Sequence, residues 1–459
     1  MQKILLLIAS LFYFNFILAE NEIKSWQGIH ETPLSRLEQQ FAEPPVEFAN
    51  HVIWGWEGKM DKKTICNDLD SIKKKGFRAV IFEAGYKLPF KYLSEEWFKA
   101  IRTGVLEAKK RGMKVWIIDE GKYPSGFAGG KFSQERPDLR MQALVIGDTI
   151  QIKRGEVMTN HKIAPEIISA VAVSTSGAPN RTVAINNGEI SFNAGLDDWK
   201  ILLVKSDFRT AVTRAVNNPN GGKDATNSLC DYLNPVAVQQ FIDWTHEQYK
   251  KYLGKELGTT VLGFRGDEPD YAHLPWTPSI VQTFKDTKGY DPTPYLASFF
   301  TTSPTIQEQR VKADYWDVWS SLFATHFFKL QADWCAANGV AHITHLNKEH
   351  EMPACVKAEG DYFRNLSKVQ IPGVDAIWNQ IWPGTLNDFP KLASSVAHVY
   401  GKPRAFSESF AAYHISPTIP QAKFVVDHQI ARGINFFEFM FWPAGSKHRN
   451  WMSDPGMKG

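Results

Sequence analysis

Two short apolar runs in this chain each deliver a glutamate. Val261–Phe264 leads through Arg265 and Gly266 into Asp267 and Glu268, and Pro269 then stops the run. Arg404–Phe410, RAFSESF, does the same with Glu408 between two serines. Carboxyl groups held on rigid strand ends are equipment for cleaving a glycosidic bond. One, protonated, gives its proton to the leaving oxygen, and the other attacks the anomeric carbon or activates a water. Glu268 is the candidate acid, because the neighbouring Asp267 would raise its pKa by like-charge repulsion. Glu408 is the candidate partner, with Arg404 near enough in sequence to form an ion pair with it. The plainer readings are a salt bridge or turn cap at Glu268 and a cap before Pro269 at Asp267.

Further groups fall at strand ends: Glu83, Asp119, Glu120, and the cluster His345, Asn347, Lys348 and Glu349. Carboxylates, amides and imidazoles hydrogen-bond sugar hydroxyls. Glu83, Asp119, Glu120, Asp267, His345 and Asn347 are therefore candidate substrate-binding residues. Trp54, Trp56, Tyr123, Trp378, Trp382 and Trp442 also lie at or past strand ends. Each alone is more often core packing, but together they could wall a sugar ring, with Trp378 foremost and Tyr123 beside it. The stretch HITHLNKEHE holds three His and two Glu, yet no HExxH order exists in it. A zinc site is therefore set aside and no metal ligand assigned, while calcium on rim carboxylates is the one cofactor left open.

The elements that must position these residues follow a strand–helix rhythm. HVIWGW (51–56) is fit for a buried strand. Lys62–Lys75 places Ile65, Leu69 and Ile72 on one helical face and closes at Gly76. Arg78–Glu83 is a second strand, Ser94 caps a helix to Arg111, and Lys114–Glu120 is a third strand. From 142 to 211 short β-like runs alternate with Asn, Gly and Pro turns, which predicts a small β-rich insertion (140–215) after the third strand. The rhythm then resumes. A helix opens at Asn234–Pro235 and runs through Leu257, Thr260–Phe264 is strand four, a long helical stretch spans Ile306–Asn338, and Val340–Leu346 is strand five. A short helix over Asp361–Val369 precedes strand six, Gly373–Trp378. Helix Leu392–Tyr400, strand Arg404–Glu408, helix Gln421–Arg432 and strand Ile434–Phe439 complete the count. About eight strands and as many helices predict an α/β fold, a (β/α)8 TIM barrel over 20–459 with its site on the carboxyl rim of the strands.

Composition narrows the class. Lys3, the apolar stretch Ile4–Leu18 and Ala19 read as a signal peptide (1–19), so the mature protein is expected to be secreted or periplasmic, with no membrane span after removal of the leader. The net charge of +3 and the lack of a basic run argue against nucleic acid as a partner. Four widely spaced cysteines, Cys66, Cys230, Cys335 and Cys355, fit neither a zinc pattern nor a dense disulfide framework, and their pairing stays open. Aromatic residues make up 13% of the chain, 15 of them Trp, which tilts towards a carbohydrate ligand. Asn180-Arg-Thr and Asn365-Leu-Ser fit the N-glycosylation pattern. Oligomeric state is not legible.

The stretches YPSGFAGGKFSQERPDLR, GDYFRNLSKVQIPGVDAIW and SSVAHVYGKPRAFSESF, followed by QIARGINFF, resemble the catalytic barrel of proteins related to glycoside hydrolase family 106, the α-L-rhamnosidases. The resemblance covers most of residues 45–445. It implies an exported, polysaccharide-degrading enzyme with a (β/α)8 domain, glutamate catalysis with inversion, and calcium in some members. Mapped onto this sequence it supports Glu268 and Glu408. Relatives usually continue into β-sandwich domains after the barrel, which this chain would lack. Glutamates after strands four and seven are also the arrangement of retaining barrel enzymes, with carboxyl groups about 5–5.5 Å apart, whereas inversion needs about 6.5–9.5 Å. The alternative expectation is a non-catalytic carbohydrate-binding barrel or a truncated pseudoenzyme, which needs no carboxylate pair.

Overall fold

The computed structural model describes residues 33–445 except 86–87, 211–212, 216–222, 225–226, 270, 272–273, 386 and 414–416. The expected leader at 1–19 lies outside the described residues. Eight parallel strands close into a barrel: β1 His51–Trp56, β2 Ala79–Ala84, β3 Lys114–Ile118, β4 Val261–Gly266, β5 Ala341–Thr344, β6 Ile371–Ala376, β7 Phe406–Ser409 and β8 Phe436–Pro443. Side chains alternate along the strands, with one irregularity in β4 between Val261 and Gly263. Val52, Trp54, Val80, Phe82 and Val115 pack outward under the helices. Ile53, Ile81, Trp116, Leu262, Ile343, Ile371, Phe406 and Phe436 fill the interior. That parity decides the site, because it carries on to the carboxyl ends of the strands.

Two glycines make room for the interior. A Cβ on Gly263 would stand 2.3 Å from the Trp116 ring and 2.1 Å from the Ala341 carbonyl oxygen, and one on Gly373 would stand 2.1 Å from the Phe406 ring. Gly373→Ala is therefore expected to cost about 1–3 kcal/mol through overpacking, read as a lowered urea midpoint. An unchanged midpoint would show that Phe406 has room to move.

Between β3 and β4 the chain leaves the barrel. Gln142–Ile152, Ile167–Ser174 and Trp199–Phe208 form an antiparallel sheet, with Arg181–Thr182 on one edge and Pro275–Trp276, which follows β4, on the other. Ile152, Ala170, Trp199, Ile201 and Leu203 give it a small core of its own. Two three-stranded sheets accompany it, one of them built on Lys122–Tyr123 at the barrel rim.

Several boundaries differ from the sequence reading. The helix expected from Asn234 to Leu257 is two, Pro235–Trp244 and His246–Leu253. They break at Thr245, whose hydroxyl donates to the Phe241 carbonyl (2.7 Å). The long helix is continuous from Ile306 to Ala337 but passes through a π-helical stretch at Phe323–Phe328. A helix at Met352–Glu359, absent from the sequence reading, follows β5. β6 starts and ends two residues earlier than expected, so Trp378 stands beyond it. All four cysteines are free thiols. Asn365 is fully buried with its amide donating to the Glu359 carbonyl (2.6 Å), which closes it to glycosylation. Among the described residues no helix is long and apolar enough to cross a membrane.

Candidate active site

Strand parity aims a row of charged side chains into the carboxyl end of the barrel. On β6, Ile371 and Gly373 face inward, and so does Asp375. On β7 and β8 the inward Phe406 and Phe436 are followed by Glu408 and Glu438. Asp375, Glu408 and Glu438 are register partners on adjacent strands, about 4.8 Å apart along the ladder direction. Three carboxyl groups side by side repel one another, and burial disfavours their charge further. Burial, with Glu408 adding to it, lifts Asp375 well above the ordinary carboxylate range. Glu438 is pushed up to about 7 by burial, with Glu408 adding and Arg265 opposing.

Arg265 answers that row from across the barrel. It is inward on β4, two residues after Gly263, and is 1% exposed. Its Nε donates to Glu438 Oε2 (3.1 Å), its Nη1 pairs with Asp267 Oδ1 (2.9 Å), and its Nη2 donates to Glu408 Oε2. The partner of Glu408 is thus Arg265 rather than Arg404. Arg404 precedes β7 at the other end of the barrel, where its guanidinium lies 5.1 Å from the centre of the Phe48 ring.

His345, just past β5, joins the same cluster. Its Nε2 lies 3.3 Å from Asp267 Oδ1 and 3.6 Å from Glu408 Oε2, and its Nδ1 lies 3.5 Å from Glu349 Oε1. Burial opposes charge on the ring, but Asp267, Glu349 and Glu408 outweigh it and hold the histidine well above its ordinary value. The 2.9 Å contact of Nε2 with Arg265 Nη2 is a hydrogen bond only for the neutral ring. Burial raises Asp267 too, yet Arg265 and His345 together hold it below the ordinary carboxylate range.

Glu268 follows on the same loop with the opposite tendency. Burial pushes it up to about 7; His345 pulls down, while Asp267, Glu349 and Glu408 push up. Like-charge repulsion from Asp267 does contribute, as expected from the sequence, but burial is the larger cause. Its φ of +37° lies in the left-handed region. Lys348 (+63°), Trp378 (+54°) and Phe410 (+76°) share that region just after β5, β6 and β7. Such residues cost about 1–3 kcal/mol each and persist where the surroundings over-determine them. Here they line up along one rim.

That rim encloses a cavity of about 250 Å³ into which Glu268, Asp375, Glu408, Asp267 and Arg265 all project. Glu83, Tyr123, Asn347 and Trp378, expected as sugar contacts, also line it, and Asn347 Nδ2 donates to the Tyr123 hydroxyl (3.2 Å). Trp378 is 45% exposed and stands at the mouth.

The other expected contacts are placed elsewhere. Asp119 and Glu120 are buried behind the cavity, because β3 ends at Ile118 and the chain turns into a loop. Glu120 accepts the backbone N–H groups of Gly121, Ala128 and Gly129. Asp119 accepts from the Ser125 hydroxyl (2.6 Å), which in turn accepts the Asp267 N–H (2.6 Å). Both hold the loop that seats Asp267. His345 lies beneath the cavity floor and acts on it through Asp267 and Glu408. Trp54 and Trp56 are core, packed edge to face at 5.2 Å, while Trp382 and Trp442 are partly buried against core clusters.

Two sets of ligand atoms lie within 4.8 Å of one another: Asp267, His345 and Glu408, and Glu268, His345 and Asp375. In the first the cation's place is taken by the Arg265 guanidinium. In the second the imidazole is engaged with its own neighbours, which leaves two carboxyl groups. Asp375 Oδ1 has no hydrogen-bond partner among the described residues. Even with all four of their oxygens, these two groups fall short of the roughly six to eight that calcium takes. The set fits that ion poorly, and no step below passes through a metal.

Sequence reasoning missed Arg265, Asp375 and Glu438. The available signal was parity, since each lies two residues after an inward-facing position of its own strand.

Residues 160–444 match the family described as alpha-L-rhamnosidase, glycoside hydrolase family 106. A curated protein of Formosa agariphila, described as "Putative beta-glucuronidase", is 24% identical over 92% of this chain and 39% of its own length. The solved structure of a rhamnosidase from Novosphingobium sp. PP1Y superposes with a TM-score of 0.67 at 16% identity, covering 90% of this chain and 56% of that one. This chain thus spans well under two thirds of either relative, and the structural likeness speaks for the barrel. With the family match extending over more than half its length, the chain belongs to glycoside hydrolase family 106.

Proposed function

We propose that the chain is a glycoside hydrolase that removes a terminal sugar, in the first instance an α-L-rhamnosyl unit, from an oligosaccharide or polysaccharide outside the cytoplasm. One observation carries the reading. A carboxyl group whose pKa is pushed up to about 7, Glu268, and a guanidinium-bound carboxylate, Glu408, open into one cavity at the carboxyl end of a (β/α)8 barrel. Glu268 holds a proton near neutrality and gives it to the departing glycosidic oxygen. Glu408, oriented by Arg265, acts on the anomeric centre directly or through a water. Trp378 offers a face for the sugar ring, and Glu83, Tyr123 and Asn347 offer hydrogen bonds to its hydroxyls. The family match supports the sugar, and the leader-like stretch Ile4–Leu18 supports export.

The experiment is hydrolysis of aryl glycosides by the purified chain, led by the α-L-rhamnoside with the β-glucuronide second, and product stereochemistry followed by NMR. Turnover with inversion makes Glu408 the base, turnover with retention makes it the nucleophile, and no turnover on any glycoside removes the reading.

A pH dependence follows. The protonated form of Glu268 is the active one, so kcat/KM on a substrate with a poor leaving group falls as pH rises through about 7. Glu268→Gln should lose that alkaline limb while still folding. A limb that persists in the variant would assign it to another group.

A further inference from the structure

Beside the acidic cavity, on the rim between β4 and β5, lies a second cavity of about 780 Å³ with the opposite chemistry. It is lined by Tyr271 and Leu274, which follow β4, by the long helix beginning at Ile306, and by the helix Met352–Glu359. Three lysines line it, Lys312, Lys348 and Lys357, and no carboxyl group does among the described residues. None of the three has a carboxylate within 4.0 Å among the described residues, although exposed lysines elsewhere on the surface pair freely (Lys99–Glu95, Lys131–Glu135, Lys329–Asp333). Two acids that follow Lys312 in sequence are engaged elsewhere. Asp314 is held by Tyr290 and Lys288, and Asp317 by Lys288 and Arg364.

The floor suits a sugar ring. Trp316 is half-buried with Lys312 Nζ 5.5 Å from its centre, and Ala354, Ala358 and Leu274 give it apolar surroundings. Tyr271 closes the cavity from below, 2% exposed and packed on Tyr232, Trp319 and Phe323. Lys348 lines both cavities, so the two are contiguous.

We infer that this cavity is a subsite for an anionic sugar residue, carrying a carboxylate or a sulfate ester, in the part of the substrate beyond the cleaved bond. The inference rests on the glycosidase reading and adds the substrate's charge to it. The cleavage cavity is lined by carboxyl groups and disfavours an anion, whereas the second attracts one. A chain that alternates a neutral terminal unit with an acidic neighbour would therefore be held in one register across the two.

The test compares the wild-type chain with Lys312→Ala/Lys357→Ala and Lys312→Arg/Lys357→Arg, exposed positions outside the cleavage cavity. Substrates are a rhamnosyl-capped uronate oligosaccharide, its carboxyl-reduced counterpart and an aryl α-L-rhamnoside. The alanine pair is expected to raise KM for the acidic substrate about tenfold, an effect that shrinks with added salt. It should leave the other two substrates unchanged, and the arginine pair should restore the acidic one. Equal KM for acidic and reduced substrates in all proteins would overturn the inference while leaving the glycosidase reading intact. Calorimetry with trigalacturonate, a sulfated disaccharide and neutral maltotriose separates the two claims if no glycoside is cleaved. Lysine-dependent binding of either anion then supports the subsite and shows which acid it takes. Binding of none, or of maltotriose equally, overturns it.

Discussion

Arg265→Met is expected to lower stability by about 3–5 kcal/mol, the cost of leaving buried charges without their partner. Among the described residues, the arginine is the one side chain that bonds Asp267, Glu408 and Glu438 together. Methionine matches part of its volume but none of its charge. The loss should depend on pH with a definite sign. Arg265 holds Asp267 below its ordinary value, so that contribution is present above the ordinary carboxylate pKa and is lost as pH falls through the lowered one. Glu438 already sits at about 7, and removal of Arg265 would raise it further. A raised carboxyl favours the folded state below its ordinary pKa and loses that advantage as pH rises. The Asp267 contribution is present at both about pH 4 and about pH 8, so the Glu438 effect is the one that makes the variant suffer more at about pH 8. Urea denaturation at the two pH values measures it, and an equal loss at both would mean that packing rather than charge is the role of Arg265.

Glu408→Gln should cut turnover by at least about a hundredfold while leaving the fold in place, since a general base or nucleophile contributes that much or more. The amide is nearly isosteric and still offers an oxygen to Arg265, so far-UV circular dichroism and the urea midpoint should move little by comparison with Arg265→Met. Glu408→Asp is the sharper companion. It keeps the charge but withdraws the carboxylate by one methylene, so stability should survive better than turnover. If Glu408→Gln retained full turnover, the carboxylate would be a structural partner of Arg265 alone.

The barrel was legible because parallel strands are apolar on both faces and the helices between them keep a 3.6-residue rhythm. The insertion showed itself as a stretch without that rhythm. Glu268 and Glu408 were legible because polar residues that end apolar runs stand out. Arg265 did not, since a single charge inside VLGFRGDEP reads as an interruption until parity points it inward. Asp375 and Glu438 were hidden for a related reason. Each sits inside an apolar strand, and only the register Asp375–Glu408–Glu438 across three strands turns them into one cluster. Asp119 and Glu120 misled in the opposite sense. KVWIIDE reads as a strand delivering two acids to the rim, but the strand stops at Ile118, and the backbone N–H groups of the following loop claim Glu120. The second cavity draws on three separate segments and has no counterpart in any one of them.

The division of labour between Glu268 and Glu408 is tested most directly by how the Glu268→Gln variant responds to the leaving group. A proton donor matters little when the departing group is a stable anion and matters greatly when it is not. On a dinitrophenyl α-L-rhamnoside the variant should turn over within a few-fold of the wild type, and on an unactivated alkyl rhamnoside it should fall by about a hundredfold or more. An equal loss on both substrates would contradict the assignment of Glu268 as the acid.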